Sequence, residues 1–227
     1  MRYNIIGDIH GRTCWKELVK DDCVNIFVGD YLDPYEQIPY EELIHNFVDI
    51  IAYKTAHPQT VLLYGNHDFP YLTGIEHYSR YDAVHAEQNR ELFRETAHLF
   101  AGVASAIGDK ALVTHAGVSK EWYEKEFGPY EGTKPSEVAQ DINELWAHNK
   151  NEFSFYANAE SPYDTCGEST TQSPLWIRPW TLVEHNVFAG TPYLQIFGHT
   201  QQEDIGMTDG GLICVDCLRQ TATSLQV

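Results

Sequence analysis

The chain has 227 residues, of which 43% are hydrophobic and 21% are charged, a length and composition that suit one folded domain with its own core. The formal net charge is -18, which repels a nucleic-acid backbone and argues against nucleic acid as a partner. No apolar run approaches the roughly 18 residues that a membrane span requires, so we predict no membrane partner.

Two further features predict the cellular compartment. The N-terminal segment MRYNIIGDIHGR turns polar before an apolar stretch of signal-peptide length has formed, so we expect no export. Five cysteines, an odd number, occur in a chain long enough to fold without disulfides, and this usage is typical of a reducing compartment. We therefore expect free thiols and a cytoplasmic location.

Five short apolar runs rich in β-branched residues predict buried strands. They lie at residues 3–6, 24–28, 60–64, 111–114 and 193–197. Helical patterns between the first four runs occupy residues 13–20, 40–56 and 83–100. The C-terminal segment GLICVDCLRQTATSLQV predicts two closing strands. The alternation of strands and helices is typical of an α/β protein.

The second half of the chain is organised differently. A helix is predicted from Pro135, a residue that suits a first helical position, to about His148. Residues 154–192 are polar and contain many turn-forming prolines and glycines, which predicts loops. We predict a single domain over residues 1–227, in which residues 119–192 form an elaboration on the substrate side of the core.

A polar cluster follows each of the five predicted strands. The clusters read GDIHG (7–11), GDYLD (29–33), GNHD (65–68), HAG (115–117) and GHT (198–200). In open α/β sheets, ligands bind in the crevice beyond the carboxyl ends of the strands. We therefore expect the side chains of these clusters to meet in space.

The clusters contain six side chains that can bind metals through oxygen or nitrogen. They are Asp8, His10, Asp30, Asn66, His115 and His199. Six such ligands without a thiolate are too many for one tetrahedral zinc site, and they suit two divalent ions such as manganese, iron, zinc or nickel. Two ions about 3.5 to 4 Å apart activate water and stabilise an in-line phosphoryl displacement. The clusters therefore predict a two-metal site that hydrolyses phosphoesters.

The ordered series of clusters resembles the calcineurin-like metallophosphoesterase superfamily, and within it the serine/threonine phosphoprotein phosphatases, particularly their compact bacterial members. The resemblance extends over residues 7–200. It implies a four-layer α/β fold, in which a β-sandwich of two mixed sheets is flanked by helices and the metals lie at one sheet edge. It also implies hydrolysis of phosphoric monoesters by a metal-bridging hydroxide, with manganese as the first choice of metal.

The resemblance implies a role for each of the six ligands and for two neighbouring residues. The first metal would be held by Asp8, His10 and Asp30, with Asp30 bridging. The second metal site would be completed by Asn66, His115 and His199. His67 corresponds to the general acid that protonates the leaving oxygen, and Asp33 to the carboxylate that orients His67. The alternatives are that His67 only orients a metal ligand and that Asp33 only caps a turn.

The sequence departs from the pattern of these phosphatases at two positions. Pro34 stands where an arginine usually grips phosphate, and Asp68 stands where a glutamate is usual. The segment PLWIRPW (174–180) resembles a bacterial segment with a phosphate-binding arginine, which makes Arg178 a candidate for that role. Its alternative is an ion pair with a surface carboxylate. Arg12 is a second candidate, as a substitute for the missing arginine.

Three functions stay open at this point, and two of them differ only in substrate. The first is hydrolysis of a phosphorylated protein at phosphoserine or phosphothreonine. The second is hydrolysis of a small phosphoester, such as a dinucleoside polyphosphate, which Pro34 favours. The third is a scaffold that keeps the fold without the chemistry, and the complete ligand set together with His67 argues against it. The sequence does not indicate an oligomeric state.

Overall fold

The computed structural model describes residues 1–75, 78–161, 163–208 and 210–227. In these parts of the chain, the strands form two mixed β-sheets. Helices pack on the outer faces of both sheets. This architecture confirms the predicted α/β fold of two mixed sheets flanked by helices.

The first sheet contains four strands, three of which are parallel. They are β1 (Tyr3–Ile6), β2 (Val24–Phe27), β3 (Val61–Leu62) and β9 (Leu225–Gln226). Their order is β3-β2-β1-β9, with β1 and β3 both parallel to β2, and β9 antiparallel to β1. The carboxyl ends of the three parallel strands therefore lie at the same edge of the sheet.

The second sheet contains five strands. They are β4 (Ala104–Ile107), β5 (Ala111–Thr114), β6 (Leu194–Phe197), β7 (Gly206–Met207) and β8 (Leu212–Cys214). Their order is β4-β5-β6-β8-β7. The three central strands are parallel, and both outer strands pair antiparallel with their neighbours. The central strands thus also direct their carboxyl ends to one edge.

Helices of four to 17 residues connect the strands. They are α1 (Trp15–Leu18), α2 (Tyr40–Ala56), α3 (Phe69–Thr73), α4 (Ala86–Thr96), α5 (Lys120–Phe127), α6 (Pro135–His148), α7 (Phe155–Asn158) and α8 (Pro179–His185). Short 3-10 helices occupy Ala97–Leu99 and Lys150–Phe153. Helix α2 buries Leu43, Phe47 and Ile50, a spacing of three to four residues that places all three side chains on one helix face.

Alternation along the strands divides the core into layers. Ile5 and Ile26 are register partners, and both pack with Ile196 of β6 in the apolar cluster between the two sheets. The next residues along each strand, Ile6 and Phe27, belong instead to the cluster formed with the helices. Successive side chains of a strand point to opposite faces, so each strand contributes to both layers and the strand ends are held firmly.

The predicted elements are confirmed most closely where the sequence pattern is long and regular. Helices α2 and α6 have the predicted bounds, 40–56 and 135–148. The helix predicted over 13–20 shortens to the four residues of α1, and the helix predicted over 83–100 begins only at Ala86 and changes to a 3-10 turn after Thr96. Residues near a helix end have fewer hydrogen-bond partners, which makes the ends hard to predict.

Six α-helices and strands were not predicted, namely α3, β4, α5, α7, α8 and β7. Strand β4 begins with three small residues, Ala104, Ser105 and Ala106, which give little strand signal, and it forms by pairing with β5 across a short connection. Helix α5 begins after Ser119, whose hydroxyl accepts a hydrogen bond from the backbone N–H of Trp122 at 3.1 Å. Helices α7 and α8 lie within residues 154–192, which the sequence predicted as loops.

Two predictions from composition are also addressed by the structure. All five cysteines are free, as expected. In the described ranges, no helix has both the length and the apolar character that crossing a bilayer requires. The single-domain organisation and the role of residues 119–192 stay predictions.

Candidate metal centre and its cleft

The six predicted metal ligands lie close together where the parallel strands of the two sheets end. We call these six residues the ligand cluster. Asp8 and His10 follow β1, Asp30 follows β2, and Asn66 comes four residues after β3. His115 directly follows β5, and His199 comes two residues after β6. The ligand cluster comprises Asp8, His10, Asp30, Asn66, His115 and His199.

The first half of the ligand cluster is a compact group of Asp8, His10 and Asp30. Each of these buried residues offers one ligand atom, and the three atoms lie within 4.8 Å of one another. His10 Nε2 is 3.3 Å from Asp30 Oδ2. A carboxylate, an imidazole and a second carboxylate at this spacing can hold one divalent ion.

The second half of the ligand cluster adjoins the first through Asp30. Asn66 Oδ1 lies 2.8 Å from His115 Nε2 and 2.9 Å from His199 Nδ1. His115 Nε2 is 3.6 Å from Asp30 Oδ2. The Asp30 carboxylate therefore lies between the imidazoles of His10 and His115, which is the position that a bridging ligand requires.

Backbone carbonyl groups orient two of the imidazoles. His10 Nδ1 is 3.0 Å from the carbonyl oxygen of Leu32, and His115 Nδ1 is 2.9 Å from that of Val28. A carbonyl oxygen only accepts, so the proton of each ring is assigned to Nδ1. Nε2 then carries the lone pair that a metal ligand needs, and it points to the ligand cluster.

The backbone of the site is held in a costly conformation. His10, Asp30 and His199 all have positive φ, at 43°, 55° and 67°. Residues other than glycine rarely adopt this region, and such strain collects at functional sites. At Gly65 and Gly198, an added Cβ would collide with the carboxylates of Asp30 and Asp8 respectively. These two glycines therefore let neighbouring turns approach the ligands closely.

The charges of the site suit a bound cation. Burial, together with Asp216 and Asp30, raises the pKa of Asp8 well above its ordinary value. Burial also raises the pKa of Asp216 to about 6, and Asp216 Oδ1 has no hydrogen-bond partner among the described residues. Buried carboxylates without enough counter-charge are costly, and a divalent ion supplies that charge. The residues present therefore fit a metal site.

The histidines around Asp30 complement this picture. Burial opposes ionisation of Asp30, but His115, His67 and His10 together lower its pKa well below the ordinary value. Burial lowers the pKa of both His115 and His199, which favours the neutral form that binds metals. The pKa directions thus favour an ionised carboxylate at Asp30 and, through burial, an uncharged ring at His115 and at His199.

Asp68, which replaces the usual glutamate, fixes two of the turns that carry ligands. Its carboxylate accepts hydrogen bonds from the backbone N–H groups of Gly65, Asp30 and Tyr31 at 2.8, 3.0 and 3.1 Å. The turn after β2 is thereby tied to the turn after β3. The aspartate side chain is therefore long enough to bind these backbone groups. It positions the metal ligands by holding the backbone of the two turns that carry them.

His67 and Asp33 form a buried pair beside the ligand cluster. His67 Nδ1 is 3.0 Å from Asp33 Oδ2. The other carboxylate oxygen of Asp33 accepts a hydrogen bond from the Tyr71 hydroxyl group at 2.5 Å. One oxygen of Asp33 therefore faces the imidazole while the other is held by Tyr71, which is the arrangement that the predicted orienting role requires.

A cleft of about 490 Å³ opens over the ligand cluster and His67. Its base includes His10, Asp30, Asn66 and His199. Residues of loops and of the short helix α7 line the part of the cleft above this base and His67, and we call them the outer wall. The outer wall comprises Tyr35, Tyr78, Ser79, Arg80, Phe155, Tyr156, Asp164, Thr165, Cys166, Trp176 and Arg178. Part of the outer wall thus comes from the predicted substrate-side elaboration, residues 119–192.

The structure separates the two predicted phosphate-binding arginines. Arg178 lies on the outer wall, where its Nη1 donates to Thr200 Oγ1 at 3.1 Å and its Nε donates to the carbonyl oxygen of Cys166 at 2.5 Å. Arg12 is not among the cleft residues described. Its Nη1 donates to the carbonyl oxygen of Asp8 at 3.3 Å, and its Nη2 lies 3.6 Å from Glu36.

Two residues beside the site were missed by sequence reasoning. Tyr71 holds Asp33, and Arg80 Nη2 lies 2.8 Å from His67 Nε2. Both residues lie C-terminal to the GNHD motif, and their separations from it in sequence match no recognisable motif. The only available signal was the presence of a tyrosine and an arginine in the segment after that motif.

Comparisons with known proteins also indicate a phosphoesterase. The model of the calcineurin-like phosphoesterase family matches residues 1–203. No curated protein matches the chain. A solved structure with a similar fold is that of a protein serine/threonine phosphatase from Saccharomyces cerevisiae with similarity to the human phosphatase PP5. The two share 16% identity with a TM-score of 0.55, over 95% of this chain and 66% of that chain.

This structural similarity shows a shared fold, and the chain spans 66% of the length of the yeast phosphatase chain. The family match covers most of the chain, from residue 1 to residue 203. It includes all five motifs on which the predicted phosphoesterase activity rests. The chain therefore belongs to the calcineurin-like phosphoesterase family, as its sequence predicted.

Proposed function

We propose that the chain is a metal-dependent phosphoric monoester hydrolase of the serine/threonine protein phosphatase type. One observation carries this proposal: six oxygen and nitrogen ligands lie together, four of them at the base of a cleft, next to the His67–Asp33 pair. Family membership supports phosphoester hydrolysis as the reaction class. The proposal adds the two-metal centre, the roles of the residues and the substrate.

Two divalent ions held by the ligand cluster would supply positive charge and an activated water for attack on phosphorus. We assign Asp8, His10 and Asp30 to the first ion, with Asp30 shared between both. Asn66, His115 and His199 complete the second site. Oxygen and imidazole ligands suit manganese, our first choice, and also iron, zinc or nickel.

His67 is assigned as the general acid. Its Nδ1 faces Asp33 Oδ2 at 3.0 Å, and this pairing fixes the ring so that Nε2 is the atom that meets the leaving oxygen. Asp33 in turn is held by the Tyr71 hydroxyl group. A positioned acid lowers the barrier because it protonates the leaving oxygen as the bond to phosphorus breaks.

Arg178 is assigned to binding the substrate phosphate. It lies on the outer wall, and the hydrogen bonds described for it are donated by Nε and Nη1 to Cys166, His199 and Thr200. Nη2 keeps its donors for a phosphate oxygen. The role of Arg12 in phosphate binding stays a prediction, and its contacts with Asp8 and Glu36 support it less well.

The second candidate substrate is a dinucleoside polyphosphate or another small phosphoester. An exposed aromatic residue of the outer wall favours it, because Tyr156 is 70% exposed and its ring is one on which a base could stack. We place the phosphorylated protein first on the basis of the phosphatase-like motif series. The predicted cytoplasmic location fits both substrates.

A substrate panel tests the proposal. Metal-stripped protein, with and without added manganese, is assayed on p-nitrophenyl phosphate, a phosphothreonine peptide and a dinucleoside tetraphosphate. We expect manganese to restore hydrolysis, with the phosphopeptide preferred over the tetraphosphate by kcat/KM. Preference for the tetraphosphate would establish the second candidate, and hydrolysis of none of the three with two metals bound would contradict the proposed enzyme.

A further inference from the structure

Arg80 is a cationic residue of the outer wall that contacts both members of the His67–Asp33 pair. Its Nη2 lies 2.8 Å from His67 Nε2, and its Nε donates to the carbonyl oxygen of Asp33 at 3.1 Å. Its guanidinium group also stacks on Tyr35, with Cζ 3.6 Å from the centroid of the ring. Arg80 therefore lies at the point where a substrate would meet the assigned acid.

Among the described residues, Arg80 is the guanidinium group at Tyr35 that lacks a carboxylate within ion-pair distance. Three guanidinium groups surround this ring, those of Arg12, Arg80 and Arg219. Arg12 and Arg219 share the carboxylate of Glu36, at 3.6 and 3.4 Å. No carboxylate among the described residues lies within ion-pair distance of Arg80. In a chain with a net charge of -18, an unpaired cation in a cleft attracts an anionic ligand.

The backbone of Arg80 resembles that of the assigned site residues. In the described part of the chain, the residues other than glycine that have positive φ are His10, Asp30, Asp33, Arg80 and His199. Four of these five belong to the ligand cluster or to the His67–Asp33 pair. Arg80, with φ of 67°, is the fifth, and such costly conformations persist where surrounding contacts impose them.

We propose that Arg80 is a phosphate-binding residue, and that its contact with His67 is the position it occupies before substrate enters. This inference rests on the proposed function, because it assigns the substrate phosphate to the same cleft. An arginine presents a planar fork of N–H donors that matches phosphate oxygens. Because Nη2 lies 2.8 Å from His67 Nε2, an oxygen bound by Arg80 is also next to the acid.

Substrate entry exchanges one hydrogen bond of Arg80 for a stronger one. A charged phosphate oxygen accepts a hydrogen bond more strongly than a neutral imidazole nitrogen does. Nη2 therefore moves from His67 Nε2 to the phosphate, while Nε remains on Asp33 and the guanidinium plane remains on Tyr35. His67 Nε2 is then released from its hydrogen bond with Arg80. Arg80 supplies, from a loop, an arginine beside the position that Pro34 occupies.

Two variants, Arg80→Gln and Arg80→Lys, test the proposal against the wild type. The matched control is Arg94→Ala, which removes an exposed arginine paired with Glu91 on helix α4. Binding of inorganic phosphate to the manganese-loaded proteins is measured by calorimetry, and KM and kcat are measured with p-nitrophenyl phosphate. Metal content and circular dichroism establish that each variant is folded and loaded.

We expect Arg80→Gln to weaken phosphate binding by about 10- to 100-fold, with a parallel rise in KM and unchanged metal content. Arg80→Lys keeps the charge without the fork and should fall between Arg80→Gln and the wild type. Unchanged phosphate affinity in both variants would overturn the proposal, and a raised kcat at unchanged affinity would identify the contact with His67 as inhibitory instead. A wild type that binds phosphate but hydrolyses no phosphoester would contradict the proposed function while still testing Arg80.

Discussion

The ligand cluster and the outer wall belong to one cleft, but they lie on different kinds of structural element. The ligand cluster follows strand ends, and Asp8, Asp30 and His115 are almost completely buried. The outer wall consists of residues of loops and of the short helix α7, among which Tyr35 and Tyr156 are 37% and 70% exposed. From this difference we expect the sheets to fix the reaction, and the outer wall, which can vary without disturbing the sheets, to select the substrate.

The largest effect is expected from Asp30→Asn in the ligand cluster. Asp30 lies between His10 and His115, at 3.3 and 3.6 Å, so its loss removes the shared ligand and a negative charge. We predict a fall in kcat of more than about 1,000-fold and loss of bound metal, measured by elemental analysis. Asp109→Asn, on the exposed surface, serves as the control. If Asp30→Asn kept full metal content and activity, the claim that the reaction depends on the ligand cluster would be wrong.

A smaller effect, on turnover alone, is expected from His67→Asn. The imidazole is held by Asp33 beside the ligand cluster, so its loss removes the proton donor and leaves the metal ligands in place. We predict a fall in kcat of about 100- to 1,000-fold for phenyl phosphate, whose leaving group is poor. The fall should be smaller for p-nitrophenyl phosphate, whose leaving group needs less protonation. Equal losses with both substrates would contradict the role of His67 as the acid.

Substitution in the outer wall should change binding more than turnover. Arg178→Ala removes a donor to the substrate phosphate, and we predict that KM for p-nitrophenyl phosphate rises about tenfold with a lesser change in kcat. Arg12→Ala should raise KM less, because Arg12 contacts Asp8 and Glu36 outside the described cleft residues. A larger rise in Arg12→Ala than in Arg178→Ala would reverse the assignment of the two arginines.

The smallest effect concerns the stability of the outer wall itself. The Asp164 carboxylate accepts hydrogen bonds from the backbone N–H groups of Cys166, Gly167, Glu168 and Ser169. We predict that Asp164→Ala lowers the free energy of unfolding by about 1–2 kcal/mol, measured by urea denaturation. Glu168→Ala, which removes an exposed neighbouring charge, should change it by less than about 0.5 kcal/mol. Equal losses in both variants would show that the loop does not depend on Asp164.

The ligand cluster could be predicted from the sequence because each ligand is local to a strand end. A buried apolar run predicts the strand, and the adjacent glycine and polar residues predict the turn beyond it. The ends of parallel strands in one sheet meet at one edge, so Asp8 and Asp30 could be placed together without knowing how the loops run. His115 follows β5 of the second sheet, and its place beside them was implied by the family resemblance. The complete order of the five motifs then specified the family.

The outer wall could not be predicted in the same way. Tyr71 reaches Asp33 from α3, which packs against α4, and Arg80 reaches His67 from the wall of the cleft, so both contacts depend on tertiary packing. No periodicity or spacing marks such positions in the sequence. Strand β4 was missed for a related reason, because its small side chains give no local signal and its pairing with β5 depends on a neighbour.

The proposed two-metal centre is tested most directly by measuring metal stoichiometry and activity in the same samples. Manganese is titrated into the metal-stripped wild-type protein while bound metal and hydrolysis of p-nitrophenyl phosphate are followed in the same samples. The account predicts that two ions bind per chain and that activity appears as the second site fills. Full activity in the absence of metal, or with a single ion bound, would contradict a two-metal centre built from the ligand cluster.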